Sequence, residues 1–154
     1  PRSTLYYSSA ASDVYKRQGH GAVLIITVLN NNIIFIKEYA AAVDDYMLTL
    51  PKGKIDSNET MYEAADRELQ EEVGFKSDKM NFIQKLYLAP GYIDHITYMM
   101  LAENLKPSSL VGDEPEDLEI IKVEIPRINS ILEEHKIIDS RVYAAVNYIQ
   151  NIYE

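Results

Sequence analysis

Alternating apolar and polar runs along the chain predict one α/β domain of short strands and three helices. Two runs rich in β-branched residues, Ala22 to Leu29 and Ile33 to Ile36, flank three asparagines and predict a β-hairpin. After the second run, residues 37–39 are expected to leave the strand. Further strands are predicted at residues 46–50, 82–88, 96–102 and 118–123.

The first helix is predicted at residues 58–73, where apolar residues recur with a helical period. Asp56 or Ser57 can cap its start, and Gly74 is expected to end it in a left-handed conformation. The predicted apolar face consists of Met61, Tyr62, Ala65, Leu69 and Val73.

Two later helices complete the predicted order of strands, helix, strands and helices. Pro126 is expected to open one of them, which ends near His135, and Ser140 is expected to cap the other. The core positions predicted for the last helix are Val142, Ala145, Val146, Ile149 and Ile152. This order favours helices packed on a sheet with mixed strand pairing.

Three glutamates lie close to the apolar face of the first predicted helix. At 100° per residue, Glu68 and Glu71 fall on its flank and Glu72 falls inside it. Crowded carboxylates at a core margin take up protons unless a cation neutralises them. Oxygen ligands of this kind suit Mg²⁺ or Mn²⁺, so the face predicts a divalent metal site, the alternative being a merely charged amphipathic helix. Arg67 is expected to orient Glu68 and Glu59 as their ion-pair partner.

The glutamates belong to a longer motif at residues 53–75, GKIDSNETMYEAADRELQEEVGF. Its spacing from Gly53 through Glu59 and REL-x-EE to Gly74-Phe75 is that of a complete Nudix box. With the flanking stretches KEYAAAVDDYMLTLPKGKID and SLVGDEPEDLE, residues 19–154 resemble the ADP-ribose pyrophosphatase branch of the Nudix hydrolase family. The resemblance implies a single α/β (α+β) domain with the Nudix fold, an α/β/α sandwich around a mixed sheet.

The same resemblance implies a metal site. Glu68 and Glu72 would be its main ligands, Glu71 would assist, and the backbone carbonyl of Lys52 or Gly53 would complete it. The expected cofactor is Mg²⁺, with Mn²⁺ as a substitute.

An acidic loop at residues 112–117 is implied to act on water, although a merely solvated loop is the alternative. Glu114 is expected to be the base and Glu116 to contact the metal, and these two roles are interchangeable. Together with Glu72 and Arg67, these residues form the predicted catalytic set.

Substrate contacts are expected on both sides of the box. Pro90 lies fifteen residues after Phe75, a marker of the ADP-ribose branch, and its neighbour Gly91 is expected to share the role. The other expected contacts are Lys52, Tyr39, Tyr46 and Tyr92, where each tyrosine can instead pack at a strand end. His95 stands alone in the loop after Pro90, where it can approach the substrate, but a surface imidazole is the favoured interpretation.

The resemblance predicts a metal-dependent pyrophosphohydrolase that releases AMP from ADP-ribose, NADH or diadenosine polyphosphates. Many ADP-ribose hydrolases carry Glu and Arg where this chain has Thr49 and Ala40, which favours a broader range of ADP-containing substrates. The alternatives are a Nudix hydrolase of nucleoside triphosphates or RNA 5′ ends, and a module that senses ADP-ribose without turnover.

The composition of the chain bears on its binding partners and its cellular location. The net charge of −9 disfavours binding to nucleic acid or to an anionic membrane, and metal ions can reconcile that charge with a phosphate substrate. The absence of cysteine and of an apolar span in the sequence leads us to expect a cytoplasmic protein. Residues 1–18 have no strand or helix period and are expected to be foreign sequence or a disordered tail. Relatives pair through an N-terminal extension, which implies a homodimer.

Overall fold

The computed structural model describes residues 21–112 and 118–153. Its strands are β1 Ala22–Leu29, β2 Asn32–Ala40, β3 Asp45–Thr49, β4 Lys52–Lys54, β5 Phe75–Tyr87, β6 Ile96–Pro107 and β7 Glu119–Glu124. Its helices are α1 Met61–Glu72, a 3-10 turn at Ile125–Arg127, α2 Ile128–Glu134 and α3 Ser140–Tyr153. The predicted tail at residues 1–18 and the two acidic-loop candidates, Glu114 and Glu116, lie outside the described residues.

All seven described strands join one mixed sheet, as predicted. Its main path runs β3, β2, β1, β6, β5, while β4 pairs with β1 and β7 pairs with β2. The β1 and β6 strands run parallel, whereas the other pairs are antiparallel. The central position of β1 accounts for its nearly complete burial.

Alternate residues of β1 face two separate cores. Leu24 and Ile26 pack on the side that carries α2 and α3, whereas Val23 and Ile25 pack on the side that carries α1. The sheet therefore lies between helices on both faces, which is the predicted α/β/α sandwich.

Several strands are longer than the apolar runs that predicted them. Residues 37–39 do not leave β2, because its extension pairs with β3 and Tyr39 lies opposite Tyr46. The β5 strand begins at Phe75 instead of Phe82, since β6 continues to Pro107 and pairs with it along that length. Residues 52–54, which no apolar run marks as a strand, form the short strand β4 against β1.

The α1 helix begins three residues later than predicted. Thr60, and not Asp56 or Ser57, is its N-cap, because Thr60 and Glu63 form a reciprocal capping box. Gly74 ends the helix at a φ of +78°, as predicted. Tyr62 is 45% exposed while Ala64 is fully buried, so the buried face is rotated towards the glutamates.

The last helix is capped by Asp139 rather than by Ser140. The Asp139 Oδ1 atom accepts a hydrogen bond of 2.9 Å from the backbone N–H of Arg141. Four of the five predicted core residues of α3 are buried, whereas Ile152 is 47% exposed. Pro126 lies in the 3-10 turn that precedes α2. Within residues 21–112 and 118–153, no helix has the length and apolar character needed to cross a membrane.

Candidate active site

Glu72 is a buried carboxylate near the C-terminal end of α1, with 8% of its surface exposed. Its Oε2 atom accepts a hydrogen bond of 2.8 Å from the backbone N–H of Lys52. Its Oε1 atom is buried and has no hydrogen-bond partner among the described residues. Burial raises the pKa of Glu72 to about 8, although the N–H and the charge of Lys52 oppose this rise.

Glu68 lies one turn earlier on the same helix and packs directly against Gly53. A Cβ atom at residue 53 would stand 1.9 Å from the Glu68 carboxyl carbon. Only glycine leaves space for the carboxylate at this point, and β4 holds residue 53 there by pairing with β1. The glycine of the box therefore positions Glu68 against the backbone.

Arg67 gathers the other acidic residues of the box. Its guanidinium donates to Glu59 at 2.7 and 2.9 Å, to Glu68 at 2.7 Å and to Glu71 at 2.9 Å. A further bond of 2.9 Å reaches the backbone carbonyl of Lys54. Hydrogen bonding to Glu59 is the main cause that raises the pKa of Arg67, and the same contact lowers the pKa of Glu59. The expected ion pairs to Glu59 and Glu68 are present.

The predicted metal ligands are adjacent in space but are engaged by protein groups. Across the described ranges, no three His, Cys, Asp or Glu side chains converge on one point. Arg67 holds Glu68 and Glu71, while Lys52 holds one oxygen of Glu72. Two observations still fit a hard cation. The Oε1 atom of Glu72 is buried and has no hydrogen-bond partner among the described residues, and the missing side chain of Gly53 leaves room for the Glu68 carboxylate next to the backbone.

A cleft of about 590 Å³ opens beside the box. It is lined by Ala22, Lys52, Gly53, Lys54, Asp56, Arg67, Glu68, Leu88, His95 and Arg141. Four of these side chains are cationic and two are acidic. The cleft therefore suits an anionic ligand even though the whole chain is acidic.

Six of the lining residues were not among the predicted site residues: Ala22, Lys54, Asp56, Leu88, His95 and Arg141. His95, which was expected at the surface, is partly exposed and lines the cleft. Burial, and then the nearby charge of Arg141, lower the pKa of His95. Leu88 and Arg141 come from distant parts of the chain and belong to no local motif. For Arg141 the sequence offered one signal: Asp139 precedes it by two residues at the start of a helix, where it can cap the helix and pair with the arginine.

Several predicted substrate contacts lie away from the cleft lining. Tyr39 and Tyr46 are 45% and 47% exposed and pack edge to face, with ring centroids 5.7 Å apart. Pro90, Gly91 and Tyr92 are exposed on the loop whose two ends, Leu88 and His95, reach the cleft. Of the predicted substrate-binding residues, Lys52 lines it directly.

The family profile described as a NUDIX domain matches residues 19–146. The chain belongs to the Nudix family. It is 37% identical over 145 residues to the ADP compounds hydrolase NudE of Escherichia coli strain K12. The aligned region covers 92% of this chain and 78% of that protein. It is 29% identical over 140 residues to an ADP-ribose pyrophosphatase of Bacillus subtilis strain 168, covering 90% and 75% of the two chains.

The Nudix fold is also shown by a solved structure. A crystal structure described as an ADP compounds hydrolase superposes with a TM-score of 0.78 and 34% sequence identity, covering 86% of this chain and 71% of that chain. In this Nudix domain the box runs through β4, α1 and the first residue of β5. The resemblance inferred from the motif and its flanking stretches is confirmed.

Proposed function

We propose that this Nudix domain is a metal-dependent pyrophosphohydrolase that cleaves the diphosphate of ADP-containing nucleotides and releases AMP. The substrates proposed are ADP-ribose, NADH and diadenosine polyphosphates. The observation that carries the proposal is the buried Glu72 carboxylate, with one oxygen fixed by Lys52 and the other without a partner among the described residues. Such a group is costly unless a cation compensates it.

The proposed cofactor is Mg²⁺, for which Mn²⁺ can substitute. Glu68 and Glu72 would hold it, with help from Glu71 and from the backbone carbonyl of Lys52 or Gly53. When bound, a divalent ion supplies Lewis-acid stabilisation of the charge that develops on phosphate oxygens. The acidic residue Glu116 is a further proposed ligand.

The protein groups position the reaction. Lys52 fixes the orientation of Glu72 through its backbone N–H, and Arg67 holds Glu68 and Glu71 on one side of α1. In the proposed reaction a water oxygen bonds to one phosphorus, the bridging P–O bond breaks, and the water proton passes to Glu114. ADP-ribose would yield AMP and ribose 5-phosphate.

The names of the relatives support this substrate class, because one is an ADP compounds hydrolase and another an ADP-ribose pyrophosphatase. The cationic side chains that line the cleft give further support, since they suit a diphosphate. We propose in addition that residues 19–154 form the catalytic domain and that the protein is cytoplasmic and homodimeric. Sedimentation of the chain with and without residues 1–18 tests the dimer and the domain boundary.

A panel of substrates tests the proposed activity. The protein is incubated with Mg²⁺ and, separately, ADP-ribose, NADH, diadenosine triphosphate, dGTP and a 5′-triphosphorylated RNA, and the products are separated by chromatography. AMP from the first three, and its loss when a chelator removes the metal, is the expected result. Tight binding of ADP-ribose without any product would contradict hydrolysis and favour a sensor.

A further inference from the structure

Arg141 lies in the same cleft as the box but comes from the opposite end of the chain. It is the second residue of α3, and its side chain is 13% exposed. The cleft brings it together with Gly53 and Glu68, while the hydrogen bonds of its guanidinium go to Asp139 and Thr97.

A buried network fixes the position of the Arg141 guanidinium. Its Nε atom lies 3.0 Å from both carboxylate oxygens of Asp139, and one Nη atom donates to the same carboxylate at 2.6 Å. The other Nη atom donates to Thr97 on β6 at 3.2 Å. Thr49 on β3 donates to Asp139 at 3.1 Å, which anchors the carboxylate in turn.

This arrangement is expensive for a purely structural role. A cation in the first turn of a helix opposes the helix dipole, and removing an ion pair from water costs energy that apolar residues would not require. Burial alone would raise the pKa of Asp139, but the hydrogen bonds from Arg141 outweigh it and lower that pKa. Asp139 is therefore the charged partner that holds Arg141 at the cleft.

The two arginines of the cleft differ in their remaining hydrogen-bond donors. A guanidinium has five N–H groups. Arg67 makes five hydrogen bonds, to Glu59, Glu68, Glu71 and the Lys54 carbonyl, and so its donors are fully used. Arg141 uses its Nε–H and one N–H on each Nη atom, and within the described residues the second N–H of each Nη has no partner.

The surroundings of Arg141 favour an anionic ligand. The cleft that Arg141 lines has four cationic side chains and only two acidic ones, Asp56 and Glu68. Lys52, which also lines the cleft, is held by Glu38 at 2.6 Å. A fixed guanidinium with two unused donors binds phosphate oxygens more specifically than a lysine held by another acid.

We propose that Arg141 is a substrate-binding residue whose two unused Nη–H groups bind oxygens of the nucleotide diphosphate, and that Asp139, Thr49 and Thr97 hold it in place for this purpose. The inference rests on the proposed function, because it assumes a diphosphate ligand in the cleft. It assigns the binding of phosphate to Arg141 rather than to Arg67, which orients the acidic side chains.

The test compares Arg141→Gln and Arg141→Lys with Arg127→Gln, an exposed arginine that does not line the cleft. Binding of inorganic pyrophosphate and of adenosine is measured by calorimetry on metal-free protein, and thermal unfolding is recorded for each variant. Arg141→Gln is expected to weaken pyrophosphate binding at least about tenfold and to leave adenosine binding unchanged. Arg141→Lys is expected to bind pyrophosphate about threefold or more weakly than the wild type, because lysine keeps the charge without the planar guanidinium.

Kinetics with ADP-ribose supply a second readout. Arg141→Gln is expected to raise KM about tenfold or more and to change kcat less than about threefold, whereas Arg127→Gln changes neither. A folded Arg141→Gln variant with wild-type pyrophosphate affinity, whatever its melting temperature, would overturn the proposal. If that variant does not fold, wild-type affinity in Arg141→Lys overturns it. The binding measurement stays decisive even if the wild-type protein hydrolyses no ADP-containing nucleotide.

Discussion

The carboxylate of Glu68 occupies the place where any side chain on Gly53 would begin. A Cβ built on Gly53 would lie 1.9 Å from the Glu68 carboxyl carbon and from its Oε1 atom. The backbone of Gly53 does not adopt the left-handed conformation that Gly21 and Gly74 do, so the glycine is needed for space. The sequence distance of fifteen residues between them is thus a packing requirement of the box.

Replacing Gly53 with alanine is expected to displace the Glu68 carboxylate. Because the displaced atoms are the end of a flexible side chain, the loss of stability should stay below the roughly 1 to 3 kcal/mol typical of an overpacked core. Turnover of ADP-ribose should fall at least about tenfold, since a proposed metal ligand is moved. Steady-state kinetics and thermal unfolding measure the two effects.

The double variant with Glu68→Gln is the control for this interpretation. If Gly53→Ala acts through Glu68, the double variant should be about as slow as the slower single variant. Independent, multiplying losses would show that the alanine impairs the site by another route.

Glu72→Gln is expected to lower turnover at least about a hundredfold while the protein remains folded. The amide oxygen can still accept the hydrogen bond from Lys52, but the charge that would hold a divalent ion is lost. The matched control is Glu133→Gln, an exposed glutamate on α2. Wild-type turnover in a folded Glu72→Gln variant would remove Glu72 from the mechanism.

The stability of the metal-free protein is expected to fall as the pH rises from about 4.5 to about 8. Glu72 has an ordinary pKa of 4.5 when unfolded and a pKa of about 8 when folded, so the folded chain binds the proton more tightly over this range. Unfolding then releases a proton, which makes stability decrease with pH. Melting temperatures in a chelating buffer measure the effect.

Glu72→Gln separates this titration from those of the other acids. Its melting temperature should vary less with pH over the same range, and Mg²⁺ should stabilise the wild-type protein most at the upper end. An identical pH dependence in the wild type and the variant would show that the Glu72 carboxylate does not carry the buried proton.

Arg67→Gln is expected to lower both the melting temperature and the apparent affinity for Mg²⁺. Without the guanidinium, Glu59, Glu68 and Glu71 lose a shared partner and repel one another. Groups that orient metal ligands typically contribute about ten- to a hundredfold in metal affinity or activity. The Mg²⁺ dependence of turnover measures this, with Arg127→Gln as control, and an unchanged dependence would show that Arg67 has no orienting role.

Local patterns predicted the elements of the fold better than their ends. The β1 strand was predicted at its observed bounds because its apolar run is continuous and central. The start of α1 was missed although Thr60 and Glu63 have the spacing of a capping box, a signal present in the sequence. The extensions of β2 and β5 depend on their partner strands, β3 and β6. Residues 37–39 have no local pattern that predicts the extension of β2.

The candidate site divides in the same way. Residues of the box could be predicted because one helix and one short strand place them together, and Glu72 is buried as its position on the helix implied. The presence of Arg141 and His95 in the cleft could not be predicted, because α3 and the start of β6 bring them there from separate parts of the chain. The roles of Glu114 and Glu116 remain predictions.

A crystal structure of the protein with Mn²⁺ and AMP is the decisive test of the proposed metal site, because anomalous scattering locates the manganese. We expect an anomalous peak beside the Oε1 atom of Glu72, shared with Glu68, and its loss in the Glu72→Gln variant. A map without a peak at this face of α1, with Arg67 still bonded to Glu68 and Glu71, would show that these carboxylates do not bind a divalent ion.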